Sequence, residues 1–439
     1  MRAGRRVLAV AAAVATAVVV PAGVGHAAGG QRVLAYVANY DSGDISVIDT
    51  ATGLVSTTIP GAVGASPYGV AVAVKGTRAY ATNTRAGTLA VLDTVTNSEL
   101  ATVAVGSQPY SVAVSPDGGH VYVTNFASGT VSVVDAGTLT VTATVAVGSQ
   151  PDGIAVTPDG TRLYVANGVA GPGTVTVVDT ATNTVSATIP VGVTPGKVAV
   201  TPDGGRVLVT NLFSNSVSIV DPATNTVVGT VGSGGTPYGI TVSPNGATAY
   251  VPNRTDNSLS IVDISSMSLV GVVAVGQAPA EVAVTPDGAT AYVTNRSDGT
   301  VSVVDTASRT VTRTTAVGVH PVGIAMATIG PDPTALTAGW ATLSVQSSSL
   351  RLSGLTATLT DTRTGQRVAG QRVFFSTMYG RPLCSAVTNS TGVATCTTDV
   401  PPLVGLVALL RGYTAAYPGS VLFQPATAHG NVRLSLLLR

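Results

Sequence analysis

Residues 121–160 read VYVTNFASGTVSVVDAGTLTVTATVAVGSQPDGIAVTPDG. Four apolar runs lie in this stretch: Val121–Thr124, Thr130–Val134, Val141–Val147 and Gly153–Thr157. Turn residues separate them, and Pro158-Asp159-Gly160 closes the last. In that turn proline fixes φ, the aspartate side chain bonds the local backbone and glycine takes a positive φ. Short β-branched runs bounded by Gly, Pro and Asp are strands. Their period-2 alternation and internal Gly and Pro exclude a helical solenoid.

The stretch recurs along the chain. The asparagine of its Tyr-Val-Thr-Asn returns at Asn39, Asn83, Asn125, Asn167, Asn211, Asn253 and Asn295, in steps of 42 or 44 residues. An aspartate follows each, at Asp49, Asp93, Asp135, Asp179, Asp221, Asp263 and Asp305. A proline keeps the same register at Pro67, Pro109, Pro151, Pro195, Pro237, Pro279 and Pro321. Four strands per repeat and seven repeats are the content of a seven-bladed β-propeller. The run after each proline is rich in small residues (Gly69-Val70-Ala71-Val72, Gly153-Ile154-Ala155-Val156), so it belongs innermost, where blades converge. The chain then begins at a second strand, Val33–Ala38, and leaves the last repeat with a spare innermost strand, Gly323–Ala327. Pairing these two closes the ring and removes the exposed sheet edges.

Composition agrees with an all-β chain. Charged residues make up 10% of the 439, with two lysines, Lys75 and Lys197, and two glutamates, Glu99 and Glu281. The formal charge is +1, too small a field to draw nucleic acid or an anionic membrane by itself. The basic residues Arg2, Arg5 and Arg6 precede an apolar run, Val7–Val20, which Pro21 ends. This pattern predicts a signal peptide over residues 1–27, cleaved after Ala27, and hence a secreted or cell-envelope protein. Arg5-Arg6 leaves the general secretory and twin-arginine routes both open. No later segment is long enough to span a membrane.

The repeat resembles the YVTN family of bacterial β-propeller proteins over residues 32–330, carried by the Tyr-Val-Thr-Asn copies, the Val-Asp turn and the Pro-Asp-Gly turn. The resemblance implies a propeller but no single activity, since related propellers include surface-layer components, DNA binders, haem-pathway proteins, lactonases and dehydrogenases. After Pro331-Asp332-Pro333, read as a linker, residues 332–439 hold seven short strand-like runs, among them Leu403–Leu410 and Val421–Phe423, and suggest a β-sandwich. This segment resembles bacterial immunoglobulin-like repeats, through Leu359-Thr360-Asp361, Gly370–Phe375 and Thr388–Ala394. Cys384 and Cys396 lie symmetrically about Ser390 and predict a cross-strand disulfide on a hairpin. Trp340 is expected in the core.

The sequence carries no catalytic motif. His120, His320 and His429 fall in different registers, without metal-ligand spacing. No Gly-x-Ser-x-Gly elbow is present. A calcium site in the channel would draw on Asp152 and Glu281, which sit in blades far apart around the ring. No metal and no cofactor is therefore expected. The sevenfold Asn and Asp are read as turn-closing groups, because a ligand site breaks the symmetry of a propeller. Function belongs where copies disagree. The loops after Pro and after Asn should share one face, which carries Tyr68, Tyr110, Asp152, Lys197, Tyr238, Arg254, Glu281 and Arg296, with Tyr40, Arg85, Phe126 and Phe213 beside them. These are the candidate ligand-binding residues. The expected function is a monomeric, non-enzymatic binding or scaffold propeller that engages a protein or envelope partner through this face. The alternatives are a cofactor- or metal-dependent enzyme, lactonase- or dehydrogenase-like, and a binder of single-stranded nucleic acid.

Overall fold

The computed structural model describes residues 32–60, 66–73, 76–168, 171–330, 334–345, 350–361, 367–401, 404, 408, 411–419 and 426–435. The expected signal peptide, the expected linker and the run Val421–Phe423 lie outside these residues. Residues 31–330 form one compact unit and 331–439 belong to another.

The first unit is the seven-bladed propeller. Blades 2 to 5 and 7 span residues 67–104, 109–146, 151–193, 195–232 and 279–316, and blade 6 runs from its inner strand Thr241–Val242 to Ala274. Each is a four-stranded antiparallel meander. Blade 1 takes residues 32–59 and receives its innermost strand, Pro321–Ile329, from the chain's other end. That strand pairs antiparallel with Arg32–Asn39, setting Tyr36 opposite Ala325 and Ala35 opposite Met326, which is the predicted closure.

The core lies between blades. Tyr80 packs with Leu89 and Val91 of its own blade and with Val121, Val123 and Val134 of blade 3. Tyr36 does the same against Ala79, Ala81 and Leu92 of blade 2. The tyrosine of the repeat, replaced by Leu208 in blade 5, is thus a wedge between neighbours, and burying each such ring removes apolar surface from water.

The other repeat residues bond. Asn125 donates to Thr130 and Ser132 at 3.0 Å, and its Oδ1 accepts from the N–H of Gly106, in the loop that enters its own blade. Asp135 accepts from the turn N–H groups of Gly137 and Thr138. The threonine stitches blades. Thr124 accepts from the N–H of Ser111 and donates to the carbonyl of Asp152 in the next blade, at 2.9 and 2.8 Å. Thr82, Thr210 and Thr294 make the same donation to the carbonyls of Tyr110, Tyr238 and Val322.

The second unit is a β-sandwich of two sheets, one containing Thr334–Ala338, Leu350–Asp361, Ala341–Val345, Val432–Ser435 and Val393–Val400, the other Pro382–Val387, Arg372–Thr377, Tyr413–Tyr417 and Ala426–Gly430. Its core includes Leu352, Leu355, Val373, Phe375 and Tyr413. Three expectations change. Cys384 and Cys396 are disulfide-bonded, but their strands pair with different partners in different sheets, so the bond staples the two sheets rather than spanning a hairpin. Trp340 is 55% exposed, with Arg433 over its ring at 4.1 Å, and is not in the core. Within 403–410 the described residues Val404 and Ala408 are helical and buried, at the i, i+4 spacing that a short apolar run leaves indistinguishable from a strand.

Thr124→Val keeps the volume but leaves the N–H of Ser111 and the carbonyl of Asp152 unpaired. It is expected to lower unfolding stability by about 1–3 kcal/mol, read by urea denaturation. An unchanged midpoint would show that the stitch carries no weight.

Candidate functional site

Behind each recurrent proline the innermost strand bulges. Pairing in blade 4 jumps from Pro151 opposite Asn167 to Ile154 opposite Val165, and blades 2, 3, 5 and 7 repeat the jump. The residue before the proline takes a left-handed φ in all seven copies, for example 50° at Gln108 and 53° at Thr194. The bulge leaves two residues per blade unpaired at the channel mouth.

The second of these is glycine in blades 1, 2, 4 and 6 and Ser111, Lys197 and Glu281 in blades 3, 5 and 7. Crowding explains the glycines. A Cβ on Gly153 would come to 2.5 Å from the carbonyl oxygen of Gly196 and 2.6 Å from the Cα of Lys197, and one on Gly239 to 2.5 Å from the oxygen of Ala280 and 2.8 Å from the Cα of Glu281. Each side chain in this column therefore stands one blade after a glycine that makes room for its backbone. The repeat threonine fixes that backbone as well: Thr210 accepts from the N–H of Lys197 and Thr294 from that of Glu281, both at 2.9 Å.

Six blades meet in one network. The Lys197 ammonium lies 2.9 Å from Asp152 Oδ1, 3.3 Å from Glu281 Oε1 and 2.5 Å from Ser111 Oγ. Tyr238 donates to Asp152 Oδ2 at 3.1 Å, and the hydroxyls of Tyr68 and Tyr238 bond each other at 2.5 Å. The ammonium also faces both rings, 5.5 and 5.3 Å from their centroids. Arg254 stacks on Tyr238 at 4.3 Å. A cavity of about 110 Å³ adjoins the network, lined by Ser111, Lys197, Glu281 and the Val and Ile side chains of the inner strands.

Burial opposes the charge on Lys197, but the carboxylates of Asp152 and Glu281 outweigh it and hold the ammonium protonated well above the usual lysine range. Burial raises Glu281, only partly offset by Lys197, and the nearby Asp152 raises it further. Burial and Asp152 push Tyr68 up to about 12. Tyr238 is raised in the same way, so both phenols stay protonated donors at neutral pH, and Glu281 holds its proton more tightly than an ordinary glutamate.

Of the candidates read from the sequence, Tyr68, Asp152, Lys197, Tyr238, Arg254 and Glu281 converge here. Tyr110 joins by stacking on Tyr68 at 4.5 Å. Arg296 makes none of these contacts. Asp152 and Glu281 do lie in blades far apart around the ring, three apart, but the channel is narrow enough for one lysine to bridge them. Ser111 was not singled out, although its register was visible as a non-glycine in a glycine column.

A metal does not fit this network as it stands. The position between the two carboxylates is filled by the Lys197 ammonium, and no group of three or more His, Cys, Asp or Glu that could hold a metal occurs among the described residues. A haem does not fit either. The cavity of about 110 Å³ cannot enclose a porphyrin, and no histidine lines it. His320 bonds Asp41, His429 bonds Thr414, and His120 stands beside Tyr122.

Comparison with known proteins places the fold among propellers. Family profiles match in three pieces: the cytochrome D1 haem domain over residues 30–153, a YNCE-like β-propeller over 170–251, and the seven-bladed β-propeller lactonase over 232–326. No curated protein matches the sequence. Among solved structures the chain is similar to hydrazine synthase of Kuenenia stuttgartiensis, at 21% identity and TM-score 0.57, covering 66% of this chain and 99% of that one. It is similar to a protein of Bacteroides fragilis described as a 6-phosphogluconolactonase, at 18% identity and TM-score 0.56, covering 67% and 98%. A third is dihydro-heme d1 dehydrogenase NirN, at 16% and 0.51, covering 66% and 74%. These likenesses correct the expectation of a binding or scaffold propeller: what the chain resembles is lactonase, dehydrogenase, synthase and haem domain.

Lys197→Met removes the one cation between two buried carboxylates and is expected to cost about 3–5 kcal/mol of stability, less when combined with Glu281→Gln. Equal losses in the single and double variants would refute the pairing. Because the folded pKa of Glu281 lies above its unfolded 4.5, the native state holds more protons in that window. Stability should therefore fall as pH rises from 4.5 through the raised value, and Glu281→Gln should flatten that slope in urea titrations.

Proposed function

We propose that this chain is a lactonase-type hydrolase of small cyclic esters, working at the channel mouth without a metal ion. The observation that carries the reading is the juxtaposition of Lys197 and Glu281 on one small cavity, a fixed positive charge beside a carboxylate whose proton affinity is raised. The lactonase match supports it, since residues 232–326 contribute Tyr238, Arg254 and Glu281.

In this reading Glu281 takes a proton from water as the water oxygen bonds to the ester carbonyl carbon. The Lys197 ammonium stabilises the negative charge that develops on the carbonyl oxygen. The ring C–O bond then breaks, the leaving alkoxide takes the proton from Glu281, and the product is a hydroxy acid. Asp152 and Tyr238 act through Lys197, holding its ammonium in place. The inter-sheet disulfide supports the export that the N-terminal pattern predicts, because such bonds persist in oxidising compartments.

Hydrolysis of unsubstituted five- and six-membered lactones by the full chain, followed by acid release, tests the proposal. Turnover should survive a chelator such as EDTA. Glu281→Gln should lower kcat by roughly 10²–10⁴-fold, as loss of a general base does. Loss of activity to the chelator, or a rate in Glu281→Gln equal to that of the parent, would overturn it.

A further inference from the structure

The sevenfold symmetry is broken a second time, on the rim. The residue after each repeat asparagine is Tyr40, Thr84, Phe126, Gly168, Leu212, Arg254 or Arg296, and only blade 3 places a phenylalanine there. The residue before each recurrent proline is glutamine twice, at Gln108 and Gln150, and these two flank Phe126. Tyr68, Tyr110 and Phe126 form a stacked row, with ring centroids 4.5 and 4.4 Å apart and planes within 19° and 18°. Phe126 ends the row and lines a hollow of about 630 Å³ with Gln108, Ser128, Ser149 and Gln150. A neighbouring hollow of about 520 Å³ shares Gln108 and is lined by Tyr40, Arg85 and Tyr110. Neither glutamine side chain has a hydrogen-bond partner among the described residues.

We propose that the hollow at Phe126 binds a neutral saccharide, one ring lying on Phe126 and its hydroxyls meeting the amides of Gln108 and Gln150. A pyranose presents an apolar C–H face and a rim of hydroxyls that both donate and accept. An aromatic ring matches the face, and a glutamine amide, with two donors and a carbonyl, matches the rim. The volume lies within the ~300–1,000 Å³ of small-molecule sites. No Lys, Arg, Asp or Glu lines this hollow, so it offers nothing to the phosphates of a nucleic acid. The site uses neither Lys197 nor Glu281 and stands or falls separately from the hydrolase reading.

The test is calorimetric titration of the full chain with cellotetraose, maltotetraose and chitotetraose, and with a single-stranded oligo-dT, at low and high salt. At least one tetrasaccharide should bind, with little response to salt. Phe126→Leu, which keeps an apolar side chain but removes the flat ring, should weaken that binding about tenfold or more, a loss of ~1.4 kcal/mol at tenfold. Phe126→Trp should retain it, and Gln108→Ala should weaken it without changing thermal stability. Failure of all three sugars to bind, binding indifferent to both Phe126→Leu and Gln108→Ala, or preferential and salt-sensitive binding of oligo-dT would each overturn the proposal.

Discussion

Crowding at the propeller axis is the constraint on which the functional part of this structure depends. Seven innermost strands converge, and at the second position after the recurrent proline the backbone of one blade nearly touches that of the next. A Cβ on Gly153 or Gly239 would sit inside the contact distance of the neighbouring carbonyl. A side chain is admitted only where the preceding blade yields, and the ring does this in alternation, glycine at 69, 153 and 239 before Ser111, Lys197 and Glu281. The rule fixes where polar groups enter the channel and, through the narrowness that causes it, how closely they meet. A wider ring would leave Asp152 and Glu281 as isolated carboxylates; here one ammonium reaches both.

The electrostatics follow from that closeness. Taking a lysine out of water is costly, and it is tolerated when carboxylates and hydroxyls surround the ammonium. The bonds run in one direction: with Tyr68 donating to Tyr238, Tyr238 donates to Asp152, which also accepts from Lys197. A carboxylate engaged on both oxygens is committed to holding its partners. Glu281 has a longer contact to Lys197 and a proton affinity raised by burial, and the proposed hydrolysis assigns the proton transfer to it. In that reading holding and reacting fall to different carboxylates in one cluster.

Much of the fold was legible because seven copies repeat one message. The strand order, the axial placement of the small-residue run and the pairing of the two chain ends follow from register alone. Most of the site was legible in a weaker sense: Asp152, Lys197, Tyr238 and Glu281 stand out as departures from the consensus. Their convergence was not legible, because sequence gives the blade a residue belongs to but not the diameter of the channel it faces. Ser111 was hidden for a related reason, since a serine among glycines looks like another small residue until a lysine two blades away reaches it. In the second unit no repeat enforces register. There the symmetric cysteines suggested a hairpin where the chain crosses between sheets, and the lone tryptophan suggested a core where an arginine covers its outer face.

The network also bears on how the ring holds together. Tyr68, Ser111, Asp152, Lys197, Tyr238 and Glu281 come one from each of blades 2 to 7. Blade 1 is the blade sewn from both chain ends, and it places Val322 and Gly323 at the same two positions. Six blades are thus tied across the axis by polar bonds, and the seventh is tied around the rim by strand pairing. The two devices act in different directions: pairing resists opening of the circle, whereas the axial bonds resist spreading of the blades. Loss of Lys197 therefore removes at once the charge that the proposed hydrolysis uses and a side chain that ties four blades together. A drop in activity in such a variant has two possible origins. Glu281→Gln separates them, since it abolishes proton exchange while preserving an uncharged group of the same shape at the same place on the axis.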